Sequence, residues 1–280
     1  MPTGIAGHAI YNNSKNATLE FRQKDTIANK PIDKITIYHA STKDSNFVYQ
    51  IKLANYNEFI LRDEKASSET ISVFLLPIGS REFTILNKEN SSGYSSTIYG
   101  AFLESNDSGI IVNSVGVNGS EYNHYLKSKT FFQQLNSLNP DLIIMSLGTN
   151  EAYNASMFEA TEFSNCLDSF FTILKSSFPK TSIIITAAPA IQTKFKNPRS
   201  RRYRFNENKN ILIVNEILKL QAEKHQLGFW NFYAVMGGQN SMKKWANAGL
   251  TDAKMIHFTK RGYLMQGKLL SNAILNAIID

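Results

Sequence analysis

The 280-residue chain has a single cysteine, Cys166, and that scarcity removes two kinds of structure at once. No intrachain disulfide can form, and with no cluster of cysteines and histidines a zinc site of the usual kind has no ligand set. Cys166 stands beside Leu167 and Phe170 in a helical pattern, which reads as a core position. Nowhere do ~18 apolar residues run together, so no membrane span is expected. The opening MPTGIAGHAIYNNS lacks the basic start and apolar stretch of an export signal. Asn12 and Asn16 match the glycosylation pattern, a short match that asparagine-rich chains produce often.

Charge is present but mostly dispersed. The net charge is +7 and the pI about 9.3, with basic residues scattered except for KFKNPRSRRYRF, Lys194 to Phe205. Such a run is able to hold phosphates or an acidic glycan, but a solvated loop is the first reading, and nucleic-acid binding is not inferred from it. Hydrophobic residues at 42% against 19% charged are the balance of a chain that folds, and the length asks for one large or two ordinary domains.

A change of period favours two. Between residues 17 and 105 the apolar residues alternate in short runs: ATLEFR, KITIYHA, FVYQIKL, NEFILRD, ISVFLLPI, REFTILN and STIYGAFLE. Seven such runs with no amphipathic helix among them predict an antiparallel β-sandwich over residues 1–105. From 106 to 280, strands alternate with helical patterns. GIIVNSVGVNG, DLIIMSLG, TSIIITAAP and GFWNFYAVM are the expected strands, and SKTFFQQLNSL, 157–178, 208–226 and 259–278 the expected helices. That alternation predicts a parallel sheet covered by helices, with ligands at the carboxyl ends of its strands.

Three loops converge on that end. In NPDLIIMSLGTNEAYN the apolar run stops at Gly148, and Asn150 is placed at the tip of a strand, able to face a crevice. Gly119 in SVGVNGSEY follows another strand, where a glycine allows close backbone approach. His257 stands just before the last helix.

In combination, GVNG, SLGTN and IHFTKRGY resemble the glycine, asparagine and histidine blocks of the SGNH or GDSL-type hydrolases, in that family's order, over about residues 109 to 280. The resemblance implies an α/β fold with a three-layer, SGNH-like parallel sheet. It also implies an oxyanion hole from the Gly119 N–H and the Asn150 amide, His257 as general base, and no metal or organic cofactor. Fixed donors aimed at a developing oxyanion are each worth a few kcal/mol.

The chain departs from the family in two places. The Gly-Asp-Ser block on the sheet's first strand is missing. Ser108 in NDSG and Ser80 in PIGSRE are its nearest lookalikes, and neither sits in a strand-to-helix turn, so the nucleophile is unassigned. The family's aspartate three residues before the histidine is Lys254 here, leaving Asp252 or a backbone carbonyl to orient the ring. Some polysaccharide-deacetylating members carry a carbohydrate-binding-module-like sandwich between their serine and glycine blocks, and residues 1–105 look like that insertion. The chain then reads as lacking its own first segment, with uncovered sheet surface inviting self-association or a second chain.

Two functions follow. One is an O-acetylesterase acting on acetylated polysaccharide, extracytoplasmic by resemblance, whose sandwich grips glycan through aromatics such as Tyr38, Tyr49, Tyr56 and Tyr94. The other is a non-catalytic glycan-binding or interaction protein that keeps the fold.

Overall fold

A computed structural model describes residues 4–12, 17–23, 30–40, 48–54, 56–88, 96–128, 130–153, 158–196 and 203–279. They form two compact units, one of 1–118 with 128–138 and one of 119–127 with 139–280.

The first unit holds eight strands: β1 (Ile10–Asn12), β2 (Thr18–Arg22), β3 (Ile32–His39), β4 (Val48–Leu53), β5 (Phe59–Leu61), β6 (Ile71–Ser80), β7 (Glu82–Lys88) and β8 (Ser96–Glu104). They make two antiparallel four-stranded sheets, in the orders β1-β8-β3-β6 and β2-β7-β4-β5. Both contribute to one core, in which Ile35, Ile37 and Phe74 of one sheet meet Tyr49, Ile51, Phe83 and Ile85 of the other. Period-two alternation is what supplies this inward face.

The boundary after 118 lies beyond the expected 105 because the tail is held to the strands. The Asn106 N–H donates to Asp33 Oδ2 at 2.8 Å, and Lys30 pairs with Asp107 at 3.3 Å. Of the first two helices, α1 (Tyr122–Leu126) belongs to the second unit and α2 (Phe131–Asn136) to the first. Gln134 Oε1 accepts the Ile5 N–H at 2.8 Å, and Ser137 Oγ lies 2.9 Å from Tyr38 Oη.

The expected strand over GIIVNSVGVNG is absent. Residues 109–118 carry no ladder, and Ile110 and Val112 are 93% and 85% exposed. An extended run becomes a strand only when a neighbour takes its N–H and C=O groups, and here none does.

The second unit contains β9 (Leu142–Met145), α3 (Thr149–Tyr153), α4 (Ala160–Ser177), β10 (Ser182–Thr186), β11 (Gln192–Lys196), β12 (Tyr203–Glu207), α5 (Asn210–Lys224), β13 (Gly228–Trp230), α6 (Phe232–Val235), α7 (Ser241–Asn247) and α8 (Lys260–Ile279). Its parallel sheet runs β13-β10-β9. Phe163, Leu167, Phe170, Phe171 and Leu174 form the buried face of α4, and Ile211, Val214 and Leu218 that of α5. Cys166 is half-buried on α4.

Two further expectations need correction. GFWNFYAVM is a strand only to Trp230, because Asn231 Oδ1 accepts the Ala234 N–H at 3.0 Å and starts a helix. The two ends of the basic run are strand rather than loop, since β11 and β12 pair antiparallel from Gln192↔Glu207 to Lys196↔Tyr203. Residues 197–202 lie outside the described residues, as do Asn16 and Tyr94.

Among the described residues, β9 has one strand neighbour, and its outer edge is unpaired. Leu142 and Ile144 on one of its faces are 38% and 40% exposed, and α8 leaves Leu264, Leu275 and Ile278 exposed. No helix among the described residues is long and apolar enough to cross a membrane.

Candidate active site

Gly148 ends the run that follows β9. Its φ of +111° turns the chain, and a Cβ there would stand 3.0 Å from Val214 Cγ1 and 3.2 Å from Leu218 Cδ1. Only glycine satisfies both the dihedral and the space. The turn starts α3 and sets Asn150 in its first turn, where Asn150 Nδ2 donates to the Ser120 carbonyl at 2.7 Å. Gly119 precedes that carbonyl with φ +82°, and a Cβ on it would meet nothing within 4 Å. The glycine and asparagine blocks, 31 positions apart in sequence, therefore meet directly.

A second contact, from a residue not singled out in the sequence, fastens the two blocks. Glu151 Oε1 accepts the Tyr122 N–H at 2.9 Å. Glu151 is largely buried, and burial raises its carboxyl above the usual range. The Tyr122 ring packs edge-on against Phe170 and Phe171, and burial drives its hydroxyl well above 10. Neither Glu151 Oε2 nor the Tyr122 hydroxyl has a hydrogen-bond partner. The clue in the sequence was an acid directly after the asparagine, at the start of a helix.

His257 sits in a tight hairpin closed by the Thr251↔Phe258 bridge and by the Asp252 N–H on the His257 carbonyl at 2.8 Å. Asp252 Oδ1 accepts the backbone N–H groups of Ile256 at 3.1 Å and His257 at 3.4 Å, so this carboxylate shapes the turn. The imidazole is exposed and has no hydrogen-bond partner among the described residues. Phe258 anchors the turn against Phe232 and Trp245, and Phe232 stacks on Trp230 at the end of β13. The Gln192 N–H, beyond β10, donates to the Met255 carbonyl at 3.0 Å. His257 is thus held at the carboxyl ends of β10 and β13, the same end of the sheet at which β9 delivers Asn150. No hydrogen bond joins His257 to Asn150 or Gly119 among the described residues.

The lookalike serines belong to the first unit. Ser80 ends β6 and donates to the Glu82 carbonyl at 2.8 Å, and Ser108 lies in the turn after β8. Ser146 directly follows β9 and is exposed, but its hydroxyl accepts from Thr186 Oγ1 at 3.0 Å rather than facing a histidine. A serine and a histidine do meet elsewhere, at Ser72 Oγ and His39 Nε2, 2.9 Å apart, yet both residues are fully buried and no ester reaches them. Tyr38 and Tyr49 are each 2% exposed, so they pack the core instead of offering faces to sugar rings. Among the described residues no group of acids, histidines and cysteines is placed to hold a metal.

Comparison with known proteins matches this architecture. The structure superposes on a solved structure described as a peptidoglycan O-acetylesterase in action, with a TM-score of 0.80 and 19% identity, over 99% of this chain and 73% of that one. It also matches a GDSL-like lipase from Bacteroides thetaiotaomicron, with a TM-score of 0.42 and 22% identity, over 57% of this chain and 73% of the other. No curated protein matches. The GDSL-like lipase/acylhydrolase family profile covers residues 88–265, well over half of the sequence. The chain belongs to the GDSL-like lipase/acylhydrolase family, whose chemistry is ester hydrolysis.

Proposed function

We propose that the chain carries the oxyanion hole and general base of an O-acetylesterase acting on an acetylated polysaccharide outside the cytoplasm. The observation that carries this reading is the 2.7 Å contact of Asn150 with Ser120, which sets an amide donor beside the open Gly119 backbone. A serine hydroxyl attacks the acetyl carbonyl and gives its proton to His257. The Gly119 N–H and Asn150 Nδ2 stabilise the oxyanion. Collapse of the tetrahedral intermediate expels the sugar oxygen, which takes the proton back from His257. Water then attacks the acyl-enzyme, with His257 again as base, releasing acetate. Asp252 contributes by fixing the turn that presents the ring.

A strand carrying that serine fits the free edge of β9, where it would cover the half-exposed Leu142 and Ile144. A second polypeptide supplying that strand, or self-association through the same surface, satisfies the same edge.

The test is release of acetate from a chromogenic acetyl ester and from acetylated polysaccharide by this chain, with and without an added Gly-Asp-Ser strand segment. Turnover that appears with the segment and disappears in His257→Ala supports the esterase. Glycan binding without turnover in either form identifies a non-catalytic binding protein instead.

A further inference from the structure

The one concentrated run of positive charge in the sequence spans β11 and β12, here called the arm. Lys194, Lys196, Arg199, Arg201, Arg202 and Arg204 include no acid between them. The described strands of this arm, β11 and β12, pair only with each other, so the arm is separate from the parallel sheet. Alternation places Lys194, Tyr203 and Phe205 on one face and Phe195 with Arg204 on the other. The Lys194 ammonium lies 4.0 Å from the centroid of the Tyr203 ring, and Tyr203 is 60% exposed. A cation seated on an aromatic ring is positioned without being neutralised. No carboxylate pairs with Lys194 or Arg204 among the described residues. Glu207 at the foot of β12 is already engaged by Tyr233 Oη at 3.0 Å and by the Asn240 N–H at 3.1 Å. The foot of β11 is the same Gln192 whose N–H holds Met255, two positions before His257.

We propose that the β11–β12 arm is a binding subsite for an anionic polysaccharide, gripping its acidic groups while the polymer passes the His257 turn. The proposal rests on the esterase reading for the identity of the neighbouring site and adds to it the charge of the substrate. A neutral glycan would gain nothing from the cluster, whereas a polyanion gains a steered, salt-sensitive attachment.

The test is binding of polygalacturonate, neutral dextran and single-stranded DNA to the intact chain, compared with Lys194→Glu/Arg204→Glu. Polygalacturonate should bind, dextran should not, and affinity should fall about tenfold or more between roughly 50 and 200 mM salt. The double variant should lose about tenfold in affinity at low salt while its thermal unfolding stays unchanged. Should the charge reversal disturb folding, Lys194→Gln/Arg204→Gln gives the same reading. Equal binding of dextran, a salt-independent affinity, or undiminished binding by a folded variant overturns the proposal. So does tighter binding of DNA through the same residues, which would reassign the arm to nucleic acid. Because binding is read without turnover, retained polygalacturonate binding with no acetate release from acetylated polysaccharide even when the Gly-Asp-Ser segment is supplied sinks the esterase reading alone.

Discussion

Asn150 Nδ2 and the Ser120 carbonyl oxygen are 2.7 Å apart, and this one bond ties the first turn of α3 to the loop that carries Gly119. Only one amide hydrogen is spent on it, leaving the other for a ligand. In the serine-completed enzyme, Asn150→Ala should lower kcat by about 10²–10³ with little change in KM, because the lost donor acts on the transition state. An equal loss in KM would show that Asn150 binds substrate rather than the oxyanion.

Glu151 should behave as a positioning residue. Glu151→Gln keeps an oxygen for the Tyr122 N–H and should leave exchange of that amide slow. Glu151→Ala leaves a buried donor unpaired, at a cost of about 1–3 kcal/mol, and should accelerate exchange at Tyr122 together with a fall in kcat. Fast exchange in both variants would mean that charge, not the hydrogen bond, holds the loop.

Without a supplied serine, residues 1–280 should be a very poor esterase. Loss of the nucleophile costs on the order of 10⁶ in turnover, while the oxyanion hole and binding retain ~10³–10⁴ over water. Robust acetate release by this chain alone, abolished by Ser146→Ala or by Ser108→Ala, would expose a nucleophile within it.

The first unit should lose stability in mild acid. His39 Nδ1 donates to the Ala40 carbonyl at 2.8 Å, so Nε2 accepts from Ser72, and burial lowers the pKa to about 4. The unfolded chain takes up the proton near the ordinary 6.5, so below that pH it binds more protons than the folded state. Stability is therefore full above about 6.5 and falls as pH drops towards 4, by on the order of 3 kcal/mol. His39→Gln should flatten the profile of the thermal midpoint over that window.

Much of this was legible in the primary structure, and the failures have physical causes. Seven of the eight strands of the first unit announce themselves by alternation, and α4 by the spacing of Phe163, Leu167, Phe170 and Leu174. Residues 109–118 have the composition of a strand yet remain unpaired, because pairing is a property of the neighbour as much as of the segment. The hairpin at Gln192–Glu207 was hidden by its charge, although Thr193, Phe195 and Phe205 alternate with the cations. Tyr38 and Tyr49 illustrate the limit for recognition surfaces, since composition does not say which side of a strand faces in. Glu151 was missed because an acid beginning a helix is ordinary until its partner, Tyr122, is seen.

The bond from Gln192 to Met255 joins the root of the cationic arm to the histidine turn, so a polymer caught by one is tethered beside the other. A tether of that kind gives neighbouring groups an effective concentration of about millimolar, whatever the bulk concentration. Each release of the arm then competes with the next reaction on the same strand of substrate. Modification should accordingly accumulate in consecutive blocks along a chain, a pattern that untethered catalysis would scatter.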